Sequence, residues 1–170
     1  AVEVANTDLD GPSPGAITAV RQAPDGRIWV GATTGLWSFA DATWRAEPDP
    51  ADAIAAIDRT ITWISGSSGA IYHLDADTWK LDVALGAPAT ALEADGERLW
   101  ASTSNGKLWL RDARGWSNLS DADVRDVALL PDGLAASTGQ GIQRVTHGWF
   151  ALLGPNGITQ SFRARDGALW

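Results

Sequence analysis

Three segments of this 170-residue chain superimpose without a gap: Arg27-Ile-Trp-Val-Gly-Ala-Thr-Thr-Gly35, Ile61-Thr-Trp-Ile-Ser-Gly-Ser-Ser-Gly69 and Arg98-Leu-Trp-Ala-Ser-Thr-Ser-Asn-Gly106. In each, a tryptophan (Trp29, Trp63, Trp100) stands six positions before a glycine. A fourth segment, Leu134-Ala-Ala-Ser-Thr-Gly-Gln-Gly141, keeps the frame with Ala135 at the tryptophan position. Self-similarity at a fixed period constrains a fold more than any local propensity, because one packing solution must serve every copy.

The flanks recur with the same frame. Upstream of each segment lies a turn: Pro24-Asp25-Gly26, Asp58-Arg59, Asp95-Gly96, Pro131-Asp132-Gly133 and Asp166-Gly167. From Asp25 through Asp58, Asp95 and Asp132 to Asp166 the spacings are 33, 37, 37 and 34 residues. Downstream comes a short strand-like run, Leu36–Phe39, Ile71–Leu74, Leu108–Arg111 and Ile142–Val145, and then a closing tryptophan, Trp44, Trp79, Trp116 or Trp149. Glycine- and aspartate-bearing turns between runs of four to seven residues, with no helical period, predict hairpins. Each unit therefore reads as four antiparallel strands. The first is small and apolar: Ile17–Val20, Ile54–Ile57, Thr90–Leu92 and Val127–Leu129.

Four-stranded units in tandem predict an all-β fold, a β-propeller. Blades radiate from an axis, so neighbouring sheets are close at their first strands and diverge outward. Alanines on the first strand and indoles farther out fill that widening gap at interior density. A parallel solenoid predicts neither the gradient nor the hairpins. The blades span about 16–48, 53–84, 89–120 and 123–153 of a single domain. A fifth begins at 156–170, with Ile158–Arg163 as its first strand and Ala168-Leu-Trp170 opening the second. Placing Ala1 after Trp170 puts Asn6 at the frame position of the blade glycine, so residues 1–10 complete this blade. One fifth of 170 residues is 34, within the range of the observed spacings. Closure by both termini would leave no open sheet edge. The alternatives are a piece of a longer propeller, or copies that complete one another by strand exchange.

The stretch Pro24-Asp-Gly-Arg-Ile-Trp-Val-Gly-Ala-Thr-Thr-Gly-Leu-Trp37 resembles the regulator-propeller repeats of bacterial sensor proteins. Later units, with Gly-Ala-Ile-Tyr-His73 or Gly-Lys-Leu-Trp-Leu110 followed by an Asp turn and Trp79 or Trp116, are similar to tectonin-type repeats. The resemblance covers nearly the whole chain and implies a propeller. From the first family it implies a periplasmic sensor segment, and from the second a lectin. Ala135 and Gln143 depart from both patterns, leaving the fourth blade without an aromatic pair.

The recurring side chains divide by position. Second-strand Trp29, Trp63 and Trp100 most simply pack between blades. Third-strand Trp37, Tyr72 and Trp109 and fourth-strand Trp44, Trp79, Trp116 and Trp149 lie where a ring can also stack on the apolar face of a sugar or hold a protein. The turns holding Thr34, Ser68, Asn105 and Gln140 place hydroxyls and amides at one end of every blade, suited to hydrogen-bonding a glycan; the same residue types also satisfy tight turns. These eight residues, the four outer tryptophans and the four turn residues, form the candidate ligand-binding set.

Asp8/Asp10, Asp75/Asp77 and Asp121/Asp123 invite a calcium reading, yet none has the spacing of a calcium loop. No metal and no cofactor is expected. His73 and His147 occupy non-equivalent positions outside any triad, so the chain reads as a non-enzyme.

A net charge of −8, with Lys80 and Lys107 the only lysines, argues against nucleic acid and anionic membranes as partners. No apolar run approaches the roughly 20 residues of a membrane span. The absence of cysteine removes disulfides and thiolate sites. The expectation is a non-catalytic module that recognises a glycan or protein ligand multivalently, extracellular or periplasmic, monomeric or a small strand-exchanged homo-oligomer. Its alternatives are a segment of a ligand-sensing propeller and a ligand-free scaffold, designed or truncated.

Overall fold

The computed structural model describes residues 14–48, 50, 52–96, 98–121, 123–130, 133–146 and 149–152. The expected fifth blade (156–170 with 1–10), Asp8, Asp10 and His147 lie outside the described residues, as does the side chain of Trp149. Among the described residues sixteen strands form four separate antiparallel sheets, each a meander in chain order. Blade 1 holds β1 (Ile17–Gln22), β2 (Ile28–Ala32), β3 (Gly35–Ala40) and β4 (Thr43–Ala46). Blade 2 holds β5 (Ile54–Ile57), β6 (Trp63–Gly66), β7 (Ala70–Asp75) and β8 (Thr78–Ala84). Blade 3 holds β9 (Ala89–Asp95), β10 (Arg98–Thr103), β11 (Leu108–Asp112) and β12 (Gly115–Ser120). Blade 4 holds β13 (Val124–Leu130), β14 (Gly133–Thr138), β15 (Gly141–Thr146) and β16 (Trp149–Leu152).

Local chemistry explains the turns. Between β3 and β4, Asp41 and Ala42 both take positive φ (51° and 59°), as do Ala76 and Asp77 (47° and 64°) between β7 and β8. Two-residue turns of this hand match the twist of the strands they join. Blade 2 lacks the Asp-Gly of its neighbours and uses Asp58 instead. Its fully buried carboxylate accepts from the backbone N–H of Thr60 (2.9 Å), Thr62 (2.8 Å) and Trp63 (2.7 Å), and from the Thr60 hydroxyl (2.5 Å).

The sheets are close at their first strands. β1 lies against β5, β5 against β9 and β9 against β13, with β2, β6 and β10 touching the first strand of the next blade. A side chain at Gly31 would bring its Cβ within 2.7 Å of Ile54, so only glycine admits that approach. Each first strand carries an irregularity at the same register, at Thr18, Ala55, Thr90 and Arg125. Such bulges increase local twist and turn each strand along the axis.

Packing follows one rule around the arc. Trp29 and Leu36 of blade 1 meet Ile54, Ile64, Tyr72 and Trp79 of blade 2. Ala56, Trp63 and Ile71 of blade 2 meet Leu99, Ala101, Trp109 and Trp116 of blade 3. Trp100 and Leu108 of blade 3 meet Leu134, Ala136 and Val145 of blade 4. A fourth cluster holds Ile28, Val30, Ala32, Trp37 and Trp44, all from blade 1. These occupy the register that blades 2 to 4 turn toward the preceding blade. At the other end of the arc, Ala135 and Ser137 face away from blade 3 and are fully buried.

Candidate functional site

A five-residue constellation recurs wherever two blades meet. The earlier blade gives a second-strand residue, a third-strand residue and a residue three positions after its outer tryptophan. The later blade gives a third-strand residue and its own outer tryptophan. Between blades 2 and 3 these are Trp63, His73 and Asp82 facing Arg111 and Trp116. Between blades 3 and 4 they are Trp100, Leu110 and Leu119 facing Val145, with Trp149 known at the fifth place by strand position alone. Between blades 1 and 2 they are Trp29, Ser38 and Glu47 facing Leu74 and Trp79.

The blade 2–3 cleft is occupied by its own side chains. Asp82, whose side chain is 14% exposed, accepts from the Trp116 indole N–H (2.5 Å) and from Arg111 Nε (3.1 and 3.3 Å). The Arg111 guanidinium lies 4.9 Å from the centre of the Trp63 ring, a cation–π distance. His73 Nδ1 is 3.9 Å from Asp82, and its ring leans on Trp63 at 5.4 Å. The blade 3–4 cleft is filled by aliphatics, with Leu110 and Leu119 packed on buried Trp100 and Val145.

The blade 1–2 cleft differs by one substitution of chemistry: Leu74 stands where the next cleft has Arg111. Among the described residues no cation crosses to Glu47, whose carboxylate instead accepts from the Ser38 hydroxyl of its own blade at 2.6 Å. Trp79 meets Trp29 edge-on, with ring centres 6.4 Å apart, and Arg27 sits 5.6 Å over Trp29. What remains is a cavity of ≈ 420 Å³ lined by Arg27, Trp29, Glu47, Leu74, Asp77 and Trp79 among others. Two indoles, an aliphatic floor and three charged side chains make a concave, amphipathic pocket.

The eight candidate residues fall into distinct settings. Trp79 lines the open cleft. Trp116 is tied to Asp82. Trp44 packs against Phe39 of its own blade, with ring centres 4.9 Å apart and the planes tilted by 46°. For Trp149 only the strand position is described, opposite Thr146 in β16. The four turn residues lie exposed at one end of their blades, each held by local bonds. Thr34 donates to the Pro14 carbonyl (2.6 Å) and accepts from the Trp37 indole (3.0 Å). The Ser68 hydroxyl donates to Asp52 (2.5 Å), and Asn105 accepts from Thr103 (2.7 Å). Gln140 accepts from Gln143 at 3.3 Å, so Gln143 reproduces in blade 4 the bond that Trp37 makes to Thr34. The turns are not brought together with the cleft.

Among the described residues no group of three or more acidic, histidine or cysteine side chains is gathered as a cation site. Asp75 is held below its usual range by a hydrogen bond and charge from Lys80.

Four radial sheets with this strand order match solved propeller-like structures. The architecture is that of a β-propeller. The computationally designed Ika4 protein matches at TM-score 0.61 and 15% identity, over 81% of this chain and 96% of that one. The extracellular domain of the one-component system BT4673 from B. thetaiotaomicron matches at TM-score 0.62 and 17% identity, over 88% of this chain and 23% of that one. BBS1N, solved in complex with ARL6DN, matches at TM-score 0.67 and 16% identity, over 89% of this chain and 59% of that one. At these identities the likeness is one of fold. No family model and no curated protein matches the chain.

Proposed function

We propose that this chain is a non-catalytic binding module that takes a saccharide in the cleft between blades 1 and 2. The observation that carries the reading is the exchange of Arg111 for Leu74. It removes the cross-blade ion pair that plugs the next cleft and leaves Trp79 beside polar groups with unfilled space in front of them. The apolar face of a pyranose stacks on an indole, and its hydroxyls find Arg27, Glu47 and Asp77 as donors and acceptors. A volume of ≈ 420 Å³ accommodates one or two sugar rings. Because the clefts are chemically unequal, the valency expected from the repeat contracts to one site among the described blades, and avidity then requires a multimer or a longer chain.

The experiment is a glycan array followed by titration of tryptophan fluorescence. Trp79→Ala abolishes the response, and Leu74→Arg, which pairs with Glu47 and covers Trp29, blocks it while leaving the fold intact. No saccharide-dependent signal at about millimolar ligand defeats the proposal.

A second reading is favoured by the likeness to the BT4673 extracellular domain: a segment of an extracellular or periplasmic ligand-sensing propeller. Both readings place a fifth blade, built from 156–170 and 1–10, against Val30, Trp37 and Trp44. Support comes from burial: Val30 is 2% and Trp37 5% exposed, although among the described residues their cluster contains blade 1 alone.

A further inference from the structure

The axis of the arc holds a second cavity, remote from the clefts, of ≈ 450 Å³ and lined by β1, β5, β9, β13 and the residues that follow them. Its walls are mainly alanine and short aliphatics, as a first strand crowded by its neighbours requires. Among the described residues four charged side chains interrupt them: Arg21, Arg59, Glu93 and Asp126. Two are cationic and two anionic, so the described lining is close to neutral while strongly polar in its parts.

Glu93 is incompletely satisfied by the charges around it. Glu93 Oε1 lies 3.7 Å from the Arg59 guanidinium, an ion pair too long for a hydrogen bond. Glu93 Oε2 is buried with no hydrogen-bond partner. The two carboxylates whose charge reaches Glu93, Asp58 and Asp126, oppose its ionisation and offer it no cation. Burial pushes Glu93 above the usual glutamate range despite the opposing charges of Arg59 and Arg21. A buried acceptor left without a donor costs about 1–3 kcal/mol, a burden that a bound donor relieves.

We propose that the axial cavity binds a free α-amino acid with an aliphatic side chain. The ammonium group supplies the missing donor to Glu93 Oε2. The carboxylate is met by Arg21 and Arg59, whose guanidinium groups border the same space, and the side chain lies on Ala56 and Ala91. A ligand carrying both charges leaves the near-neutral lining near-neutral, whereas a ligand with one charge leaves either the carboxylate or the arginines uncompensated in a partly desolvated site.

The test is isothermal titration of the full chain with L-leucine, with 4-methylpentanoate (no ammonium) and with 3-methylbutylamine (no carboxylate). The proposal expects L-leucine to bind with a Kd below about 1 mM and each analogue to bind at least about tenfold more weakly. Glu93→Gln, which preserves volume, weakens L-leucine at least about tenfold, and Arg21→Gln gives a second variant on an exposed strand position. Leu74→Arg leaves L-leucine binding unchanged, which separates this site from the saccharide cleft. The proposal is overturned by no heat at about 20 mM L-leucine, by equal binding of 4-methylpentanoate, or by an unchanged Kd in folded Glu93→Gln.

Discussion

Replacing Asp82 with alanine tests how the seam between blades 2 and 3 is held. The carboxylate serves two donors of the neighbouring blade, the Trp116 indole at 2.5 Å and Arg111 Nε at 3.1 Å. A hydrogen bond to a charged acceptor contributes about 1.5–3 kcal/mol, and removing one partner of a fully buried pair costs about 3–5 kcal/mol. Arg111 is 31% exposed and Asp82 14%, so water screens the pair and the lower part of that range applies. The expected loss for Asp82→Ala is about 3 kcal/mol, and for Asp82→Asn, which keeps an acceptor for the indole, about 1.5 kcal/mol. Arg111→Leu reproduces the arrangement of the blade 1–2 cleft and costs about 1 kcal/mol by itself. In the double variant the losses fall short of additivity by about 1 kcal/mol, because both single changes break the same bond. Urea unfolding followed by tryptophan fluorescence measures each difference. A loss below about 0.5 kcal/mol for Asp82→Ala, or strict additivity with Arg111→Leu, refutes the seam as described.

Glu93 gives a pH signature. Its folded-state pKa is raised by burial, so the folded form takes up a proton before the unfolded chain does, and stability rises as pH falls through the folded value toward the ordinary one. Glu93→Gln is expected to flatten that rise and to gain about 1 kcal/mol at neutral pH, seen in urea midpoints between neutral and mildly acidic buffers. Ala42, at φ 59° in the β3–β4 turn, is expected to gain about 0.5–1 kcal/mol when changed to glycine, since the relief of left-handed strain exceeds the added unfolded-state entropy. A thermal melt reads this as a rise in Tm, and a fall contradicts the assigned turn.

The blade frame was legible because it is written in residues whose roles are local or repeated. Asp-turn spacing and the Trp-to-Gly interval set the hairpins, and the small first strands set the taper. Asp58 standing in for Asp-Gly kept the turn position visible even where the glycine was missing. The clefts were only half legible. Trp29, Trp63 and Trp100 look equivalent along the chain, but what fills each wedge depends on pairing across blades, where Leu74, Arg111 and Val145 take the same place. The repeat alignment does carry that signal, in the alternation of aliphatic and arginine at one third-strand position. The axial charges escaped for a simpler reason. Apolar patterning ends the first strands at Val20 and Leu92, whereas pairing continues through Arg21, opposite Trp29, and Glu93, opposite Trp100. Strands that line a cavity are released from apolar patterning at one end, and periodicity alone does not register it.

The proposed arrangement has every blade bury its second-strand face against another, with the ring completed inside one chain. Native mass spectrometry of the full chain at micromolar concentration tests this most directly. A single species at 17.9 kDa is the predicted result. A defined multiple of that mass with no monomer contradicts it, and means that the face of Val30, Trp37 and Trp44 is covered by a second copy.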